Sequence, residues 1–320
     1  MGVTIKDVAR SAGVSYSTVS KALRDSSLVK PGTKQKIRDI AAELGYQPNA
    51  AARSLVSKKS QTIGVVWPTV ERTAQAALIT RINQELEKRD YTTLLSINKI
   101  EQAVNTFQRF DVDAILIFND QKKLEKMHPS SIPVLTYGVS EGSDYPTIDA
   151  NRQHAIRMAV EKLVEKGHKN ISFVGVCSGN DPLQEDKLFG FKQAMKEQFA
   201  SINDSYFLDT NGLDMYDGYL AVKSMLETGN LPSAMVIGSY DLTRGAIRAI
   251  NEDTSQQSQE IELISYDNIP QMHSFDNPIT NVGVPLDKIV QTIVDQLIDM
   301  IEENDQPGST ILEPELFSHQ

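Results

Sequence analysis

The sequence predicts an all-α head, joined by a short linker to a two-lobed α/β body with doubly wound parallel sheets. The first observation is charge: residues 1–60 contain 11 Lys and Arg against 4 Asp and Glu, whereas residues 61–320 contain 21 against 38. The second is a set of short helical patterns in the basic segment. The third is the alternation of strand and helix patterns in the acidic segment, which is typical of parallel sheets.

Composition excludes several classes of protein. Hydrophobic residues make up 40% of the chain, which is enough for packed cores, and no apolar run approaches the roughly 20 residues of a membrane span. The N-terminus lacks the apolar core of a signal peptide. Cys177 is the single cysteine, so neither an internal disulfide nor a Cys-cluster metal site is expected. We expect a cytosolic protein without a metal or cofactor.

The first two helices of the head have clear signals. Thr4 and Asp7 form a capping-box pattern at the start of the first helix. Gly13 suits a tight turn that needs positive φ, and Ser15 can cap a second helix that runs to about Leu23. Two short helices joined by such a turn predict a helix-turn-helix, whose second helix enters the DNA major groove.

The second helix offers polar side chains that could read base edges. Tyr16, Ser17, Ser20 and Lys21 can donate or accept hydrogen bonds, as direct readout requires. Four basic residues are candidates for phosphate contact, although each alone also fits a solvated surface charge: Arg24, Lys30, Lys34 and Arg38.

A third helix is predicted from Thr33, a plausible cap, to Gly45, a good stop. Its apolar positions share one face: Ile37, Ile40, Ala41 and Leu44. Three helices of this size can share one small core.

The head resembles the DNA-binding domain of the LacI/GalR family of bacterial transcription regulators. The resemblance is carried by VTIKDVARSAGVSYSTVSKAL (residues 3–23) and KPGTKQKIRDIAAELGYQPNAAARSL (residues 30–55). It implies a double-stranded, palindromic operator as partner. The residues of the head that we expect to contact DNA are Thr4, Ser15, Tyr16, Ser17, Thr18, Ser20, Lys21 and Thr33. At position 21 the family more often has Arg, and Lys cannot form the bidentate fork to guanine.

Residues 47–60 are expected to form a hinge. The stretch AAARSL has high helix propensity but is too short to be stable alone, so a helix here needs a partner. The family resemblance implies that two symmetry-related hinge helices of a homodimer pack in the minor groove. There Leu55 would wedge between base pairs, and Asn49 and Arg53 would approach groove edges or phosphates. An ordinary Ala-rich linker is the alternative.

The body contains two strand–helix series. Strand patterns occur at 62–67, 91–97, 112–118, 132–137, 146–149, 170–176, 204–208, 233–238 and 260–265, and the main helix patterns at 74–89, 151–166, 182–199, 215–228, 240–252 and 286–301. Ligands of such sheets bind outside the carboxyl ends of the strands, which places a site in a cleft between two lobes.

The body also resembles the family's effector domain, which is similar to periplasmic sugar-binding proteins. The matching segments are IGVV, GHKNISFVG, GAIRAI, SYDN and ITNVGVP. The resemblance implies a head at 1–46, a hinge at 47–60 and an effector-binding and dimerisation domain at 61–320. Within that domain, lobe 1 is expected at about 61–152 and 285–308, and lobe 2 at about 153–284 and 309–320.

The resemblance also implies effector-binding positions. Lys187 stands where the family has the arginine of an RxxG segment, Tyr240 and Asp241 replace an Asn-Asp pair, and the aspartate of the YDD type is kept as Asp267. Glu71, Arg72 and Thr73 lie where the family often has Asn-Pro-Phe-Phe. Asp241 and Asp267 could bind sugar hydroxyls or an amine, so a carbohydrate-like effector, including an amino sugar, is expected. Acids predicted on loops could also reach the cleft, or alternatively only solvate an acidic body: Glu71, Asp120, Glu185 and Asp186.

These observations together predict a transcriptional regulator, more in keeping with a repressor than an activator, whose operator affinity depends on a small effector. Control by a protein partner instead of a small molecule is the alternative. No GxGxxG, GxSxG, HExxH or Walker glycine loop occurs, and the five histidines show no metal spacing. The sequence therefore does not predict an enzyme.

Overall fold

A computed structural model describes residues 3–23, 25–46, 59–122, 124, 132–199, 203, 206–303 and 307–318. The chain divides into two compact units, residues 1–60 and 61–320, and the described part of each has a hydrophobic core of its own. The predicted hinge residues Asn49, Arg53 and Leu55 lie outside the described residues.

The head contains three helices: α1 (Ile5–Ala12), α2 (Tyr16–Leu23) and α3 (Pro31–Glu43). Gly13 ends α1 with φ +67°, in the left-handed region that glycine adopts without a steric penalty. The helices share a core of small and branched apolar residues, Val8, Ala9, Ala12, Val19, Ala22, Val29, Ile37 and Ala41. This packing matches the helix-turn-helix predicted from the sequence.

The predicted start of the third helix was wrong. Thr33 is not its cap, because the helix begins at Pro31 and Lys30 occupies the cap position. Proline is favoured in the first turn of a helix, where its missing N–H costs nothing and its φ is already helical. Pro31, and not Thr33, therefore determines where the helix begins.

The first lobe of the body is a parallel sheet in the order β11-β5-β4-β3-β1-β2. Its strands are β1 (Thr62–Val66), β2 (Thr92–Ser96), β3 (Ala114–Asn119), β4 (Val134–Gly138), β5 (Thr147–Ala150) and β11 (Thr310–Leu312), and its helices are α4 (Thr73–Glu87), α5 (Ile100–Arg109) and α11 (Leu286–Glu302). Successive residues of a strand enter different cores: Val65 packs in the larger cluster with α4 and α11, and Val66 packs with α5. Both faces of the sheet are covered, which explains why all six residues of β3 are buried.

The second lobe has a sheet in the order β12-β10-β9-β8-β6-β7. Its strands are β6 (Ile171–Gly175), β7 (Phe207–Asp209), β8 (Ala234–Ile237), β9 (Glu262–Tyr266), β10 (Thr280–Gly283) and β12 (Glu315–Phe317), and its helices are α6 (Arg152–Glu165), α7 (Pro182–Gln198), α8 (Met215–Thr228), α9 (Tyr240–Glu252) and α10 (Gln256–Gln259). All neighbours are parallel except β12, which runs antiparallel to β10. The two-lobed α/β fold class is thus confirmed, and the edge strand β12 departs from the purely parallel expectation.

The chain passes between the lobes at three places. It crosses between β5 and α6, between β10 and α11, and between β11 and β12. The expected lobe boundary at 308–309 differs from the structure, because Thr310–Leu312 pairs with β5 in the first sheet. The two short edge strands are separated by only two residues, so the periodicity of the sequence did not resolve them.

Candidate nucleic-acid interface and ligand cleft

The second helix of the head presents a polar face. Val19 and Ala22 are buried in the head core, whereas Tyr16, Ser17 and Lys21 are exposed, with Tyr16 at 52%. Helical spacing explains this division, since positions 16, 17 and 21 lie on the side opposite positions 19 and 22. The predicted base-reading residues are therefore open to solvent on one side of α2, and Ser20 beside them is half-buried.

Three of the predicted contact residues also hold helix starts in place. Ser15 Oγ accepts a 3.1 Å hydrogen bond from the Thr18 amide and lies 2.8 Å from Thr18 Oγ1. The Thr4 amide and hydroxyl donate to the Asp7 carboxylate at 3.0 and 2.7 Å. These contacts confirm the helix-start roles predicted for Thr4 and Ser15. Thr33 is half-buried in the first turn of α3.

Asp25 organises two of the basic residues that could contact phosphate. Its carboxylate lies 3.0 Å from Lys34 Nζ and 2.7 Å from an Arg38 guanidinium nitrogen. Lys34 Nζ also donates to the Asp25 carbonyl at 2.8 Å. The bond from Lys34, together with the charge of Arg38, holds the pKa of Asp25 below its usual value. These two cations are therefore tethered near the C-terminal end of α2.

The body has a cavity between its lobes, at the carboxyl ends of the strands. The lining contains apolar, aromatic and polar side chains: Arg72, Ala74, Gln75, Leu78, Phe118, Tyr137, Ala150, Arg152, Leu183, Gln184, Lys187, Tyr266, Asp267, Asn268, Ile269, Gly283, Val284, Leu286 and Ile289. It provides about 100 Å³ for the centres of water-sized molecules. The centre of one water molecule needs roughly 10–15 Å³, so the cavity is large enough for a small polar molecule.

Lys187 is buried, with 4% of its surface exposed. Its Nζ donates to the Gly238 carbonyl at 2.7 Å and lies 3.9 Å from the centre of the Tyr266 ring. Burial lowers the pKa of Lys187 to about 7, and the nearby positive charges of Arg72 and Arg152 act in the same direction against the attraction of Asp267. This ammonium is thus poised to gain or lose its proton near neutral pH.

Arg152, the first residue of α6, is the second buried cation of the cavity, at 6% exposure. Its guanidinium donates to Asp149 at 2.6 Å and to the Ala150 carbonyl at 3.2 Å. The backbone amide and hydroxyl of Ser140 in turn donate to Asp149 at 2.9 and 2.8 Å. The neighbouring Tyr266 and Asp149 raise the pKa of Arg152 above its usual value despite burial. A fixed positive charge therefore lies at the first crossover.

Asp267 is placed by an unusual backbone. Its φ of +109° lies in a region that residues with a Cβ rarely adopt, and its carboxylate accepts a 2.9 Å bond from the Tyr240 amide. Burial raises the pKa of Asp267, which the positive charge of Lys187 partly offsets. Burial also raises the pKa of Tyr137 to about 12 and that of Tyr266, so both phenols stay neutral.

The seven predicted effector residues separate into three groups. Arg72, Lys187 and Asp267 line the cavity. Thr73 and Asp241 instead bind each other: the Thr73 amide and hydroxyl donate to the two Asp241 oxygens at 2.9 and 2.6 Å.

The two remaining predicted residues lie outside the lining. The buried Tyr240 ring packs 5.3 Å from the Phe275 ring, and its hydroxyl lies 3.2 Å from Ser274 Oγ. Glu71 is exposed and faces a separate surface groove.

Sequence reasoning missed several lining residues. Arg152, Gln75 and Gln184 all lie within the first turns of helices that follow strands, at the cavity edge of the sheets. Arg152 lies just beyond the carboxyl end of the predicted strand 146–149, and this position was an available signal because ligands of parallel sheets bind outside the carboxyl ends of the strands. The described residues contain no group of three or more His, Cys, Asp or Glu that could hold a metal ion. None of the described helices is long and apolar enough to span a membrane.

A helix-turn-helix unit and a two-lobed α/β unit with a polar cavity define a DNA-binding protein that also carries a ligand-binding type of domain. Residues 4–49 match the bacterial regulatory proteins of the lacI family, and residues 160–318 match the periplasmic binding protein-like domain. The chain is 31% identical to catabolite control protein A of Priestia megaterium over 300 residues, which cover 88% of this chain and 90% of the relative.

Two other relatives match this chain over nearly its whole length. The transcriptional repressor PurR of Escherichia coli O1:K1 is 26% identical, covering 99% of this chain and 96% of the relative. The crystal structure of the Lac repressor dimer bound to operator and the anti-inducer ONPF has a TM-score of 0.82 and 26% identity, with 99% and 98% of the two chains covered. The chain belongs to the lacI family and is a DNA-binding transcriptional regulator.

Proposed function

We propose that this regulator binds operator DNA as a homodimer and that a small carbohydrate-like effector in the cavity controls its operator affinity. The observation that carries the proposal is the cavity lining, in which aromatic rings stand beside polar side chains with unmatched hydrogen-bonding atoms. Arg72 Nε and Gln75 Oε1 are buried there without a hydrogen-bond partner among the described residues. A ligand with several hydroxyl groups can both donate and accept, so it suits a lining that contains a guanidinium and a carboxamide with spare hydrogen-bonding capacity.

The aromatic residues favour the same class of ligand. Phe118 and Tyr137 pack 6.1 Å apart in the first lobe, and Tyr266 faces the cavity from the second lobe. Sugars combine apolar C–H faces with polar edges, so a cavity with rings and hydrogen-bonding groups matches their surface. An amino group on the ligand, expected from the sequence, would have Asp267 as its partner. Asp241 is already engaged by Thr73, which weakens the amino-sugar form of the proposal.

The DNA contacts of the proposal follow the predicted division into a head (1–46), a hinge (47–60) and an effector domain (61–320). Tyr16, Ser17 and Lys21 on the exposed side of α2 are proposed to read bases. Asn49, Arg53 and Leu55 are proposed to contact the minor groove, where one hinge segment braces its symmetry mate. A homodimer on a palindromic operator follows from this pairing. Repression is favoured because relatives of this chain are named repressors.

Control of operator affinity is proposed to act through the angle between the lobes. A ligand that contacts both lobes favours one angle, and the angle sets the separation of the two hinge segments in the dimer. Such coupling is reciprocal, so operator DNA must change ligand affinity by the same factor as ligand changes operator affinity.

Fluorescence anisotropy tests the proposal, using DNA from upstream of the protein's own gene at constant salt with and without sugars, sugar acids and amino sugars. Constant salt is needed because phosphate contacts make affinity steeply salt-dependent. A compound that shifts operator affinity supports effector control, and the sign of the shift distinguishes inducer from corepressor. Binding of DNA that no compound changes counts against a small effector and favours the alternative, a protein partner found by pull-down. Leu55→Ala should weaken operator binding while sparing nonspecific binding; equal loss of both contradicts the hinge assignment.

A further inference from the structure

The cavity concentrates positive charge within an acidic body. Arg72, Arg152 and Lys187 all line it, although residues 61–320 carry 38 Asp and Glu against 21 Lys and Arg. Arg152 is paired with Asp149, whereas Arg72 and Lys187 form no ion pair with any described residue. The Lys187 ammonium is held by the Gly238 carbonyl and the Tyr266 ring, and Asp267 in the same lining attracts it from beyond ion-pair distance. A negatively charged ligand group would therefore add an ion pair that Arg72 and Lys187 do not form with the described residues.

The backbone adds to this positive field. Four helices begin at the cavity, as shown by the lining residues Gln75 on α4, Arg152 on α6, Gln184 on α7 and Leu286 on α11. Helix N-termini carry a partial positive charge and N–H groups without intrahelical partners. The helix ends therefore favour the same sign of ligand as the three side chains.

Arg72 and Gln75 line the cavity, and each has a side-chain atom without a hydrogen-bond partner among the described residues. Arg72 Nε is buried, has no hydrogen-bond partner among the described residues and belongs to a guanidinium that lines the cavity. Guanidinium groups match the planar fork of carboxylates and the oxygens of phosphates better than they match single hydroxyls. Gln75 Oε1, the neighbouring acceptor, suits a hydroxyl of the same ligand.

We propose that the effector carries an anionic group, a carboxylate or a phosphate, held by Arg72 and Lys187, with Arg152 as a third positive charge of the same lining. This inference rests on the proposed function, because it names the ligand class of the same cavity. The anion pairs with these cations at closer range than Asp267 does, and the aromatic rings and amides hold the remaining, hydroxylated part of the ligand.

Lys187 makes the binding of an anion pH-dependent. The charged and titratable groups around it lie on four elements. They are Tyr266 at the end of β9 and Asp267 just after it, Arg72 at the start of α4, Arg152 on α6 and Asp181 at the start of its own helix. With a pKa of about 7 in the free protein, much of Lys187 is neutral above pH 7. An anion stabilises the ammonium form, so binding takes up a proton above pH 7, and affinity falls as pH rises.

Titration calorimetry of the full-length protein at constant ionic strength tests the ligand class. The probes are inorganic phosphate, glucose 6-phosphate, glucuronate, and the neutral and cationic counterparts glucose and glucosamine. We expect phosphate to bind, and at least one of the two acidic sugars to bind roughly 10- to 100-fold more tightly than glucose, the range for a charged hydrogen bond. Glucose or glucosamine binding as tightly as both acids overturns the inference, as does failure of all three anions to bind at tens of millimolar.

Two variants locate the anion. Arg72→Gln should weaken binding of phosphate or the better acidic sugar by roughly 10- to 100-fold, whereas Arg109→Gln on the exposed end of α5 should leave it unchanged. Equal effects of the two substitutions would assign the binding to general surface charge and overturn the site.

Proton uptake distinguishes Lys187 from a merely structural residue. Titrations at pH 8 in two buffers of different ionisation enthalpy should reveal uptake of up to about one proton per bound acid in the wild type. Lys187→Met should abolish the uptake, and Lys196→Met, an exposed position on the same helix, should retain it. Anion binding without proton uptake in the wild type contradicts the role of Lys187.

The proposed function fails in a different way. If glucose or another neutral sugar shifts operator affinity and binds as tightly as the acids, effector control stands and the anionic class is wrong. Suppose instead that acids bind the cavity but do not change operator affinity, and that operator DNA does not change acid affinity. The ligand class then stands and effector control is wrong.

Discussion

Thr73 and Asp241, which are 168 residues apart in the chain, are joined by two hydrogen bonds of 2.6 and 2.9 Å. Thr73 is the first residue of α4 in the first lobe, and Asp241 lies in the first turn of α9 in the second lobe. One carboxylate thus links the N-terminal turns of two helices, where its negative charge is favoured by both. Their chain neighbours lie at the cavity: Arg72 lines it, and the Tyr240 amide donates to Asp267, which lines it too.

Thr73→Val should weaken the contact between the two lobes. It removes the hydroxyl bond to the buried Asp241 but retains the amide bond, at a cost of about 1–2 kcal/mol once the partial exposure of Thr73 is allowed for. Small-angle scattering should show a larger radius of gyration for Thr73→Val than for the wild type, with Thr73→Ser as the conservative control. Matching profiles for the Val and Ser variants would show that the hydroxyl bond does not hold the lobes together.

Lys187 should make stability depend on pH in an alkaline window. Its pKa is about 7 when folded, below the ordinary value of 10.5, so the unfolded chain binds more protons between these two values. Unfolding free energy contributed by this residue therefore rises with pH from about 7 to about 10.5, by on the order of a few kcal/mol. Thermal unfolding midpoints of the wild type and Lys187→Met can be compared across pH 6.5–10. The midpoint of the wild type should rise relative to that of the variant as pH increases. A constant difference would rule out the lowered pKa.

Gly245→Ala should destabilise the second lobe. A Cβ at Gly245 would lie 2.0 Å from the Met215 carbonyl oxygen and 2.5 Å from the Tyr219 amide nitrogen, because α8 and α9 meet backbone to backbone here. Overpacking of this kind costs about 1–3 kcal/mol or more. The thermal midpoint should fall clearly. Gly32→Ala in α3, where a Cβ meets nothing within 4 Å, is the control and should be neutral or slightly stabilising. Equal midpoints for both variants would contradict the close helix contact.

Lys21 and Lys30 should differ in what they contribute to DNA binding. Lys21 lies on the exposed side of α2, so Lys21→Ala should weaken operator binding by about 1–3 kcal/mol and relax discrimination at one base pair. Lys30, exposed before α3, should behave as a phosphate contact, so Lys30→Ala should weaken all sequences similarly and reduce the salt slope by about one. Anisotropy titrations over a salt series with operator and mutated-operator duplexes measure both; the opposite pattern would exchange the two roles.

The head was largely predictable because its signals are local. The bond from Thr4 to Asp7, the positive φ of Gly13 and the cap of Ser15 each involve residues within a few positions of one another. Local signals also conflict, as at the start of α3, where Pro31 rather than Thr33 determines the boundary. Such conflicts move a helix end by a residue or two and leave the fold unchanged.

The cavity was predictable only in part. Family resemblance pointed to Lys187 and Asp267, which line the cavity, but also to Thr73 and Asp241, which bind each other instead. The choice between ligand contact and lobe contact depends on distances between segments more than 100 residues apart, and no periodicity encodes them. The place of Arg152 after a predicted strand was visible in the sequence, but its burial was not, since that burial arises from the crossover between the lobes.

The sequence by itself determined the class of protein: the basic helix-turn-helix head, the alternating strands and helices of the body, and the family, because these follow from local patterns of charge, caps and periodicity. Only the tertiary structure decided which polar groups face the cavity. In the folded chain Arg72, Arg152 and Lys187 line one cavity, and Thr73 donates hydrogen bonds to Asp241. Thr310–Leu312 pairs with the first sheet. The reason is physical: pKa shifts, unpartnered atoms and lobe contacts depend on burial and proximity, which arise only when distant segments pack.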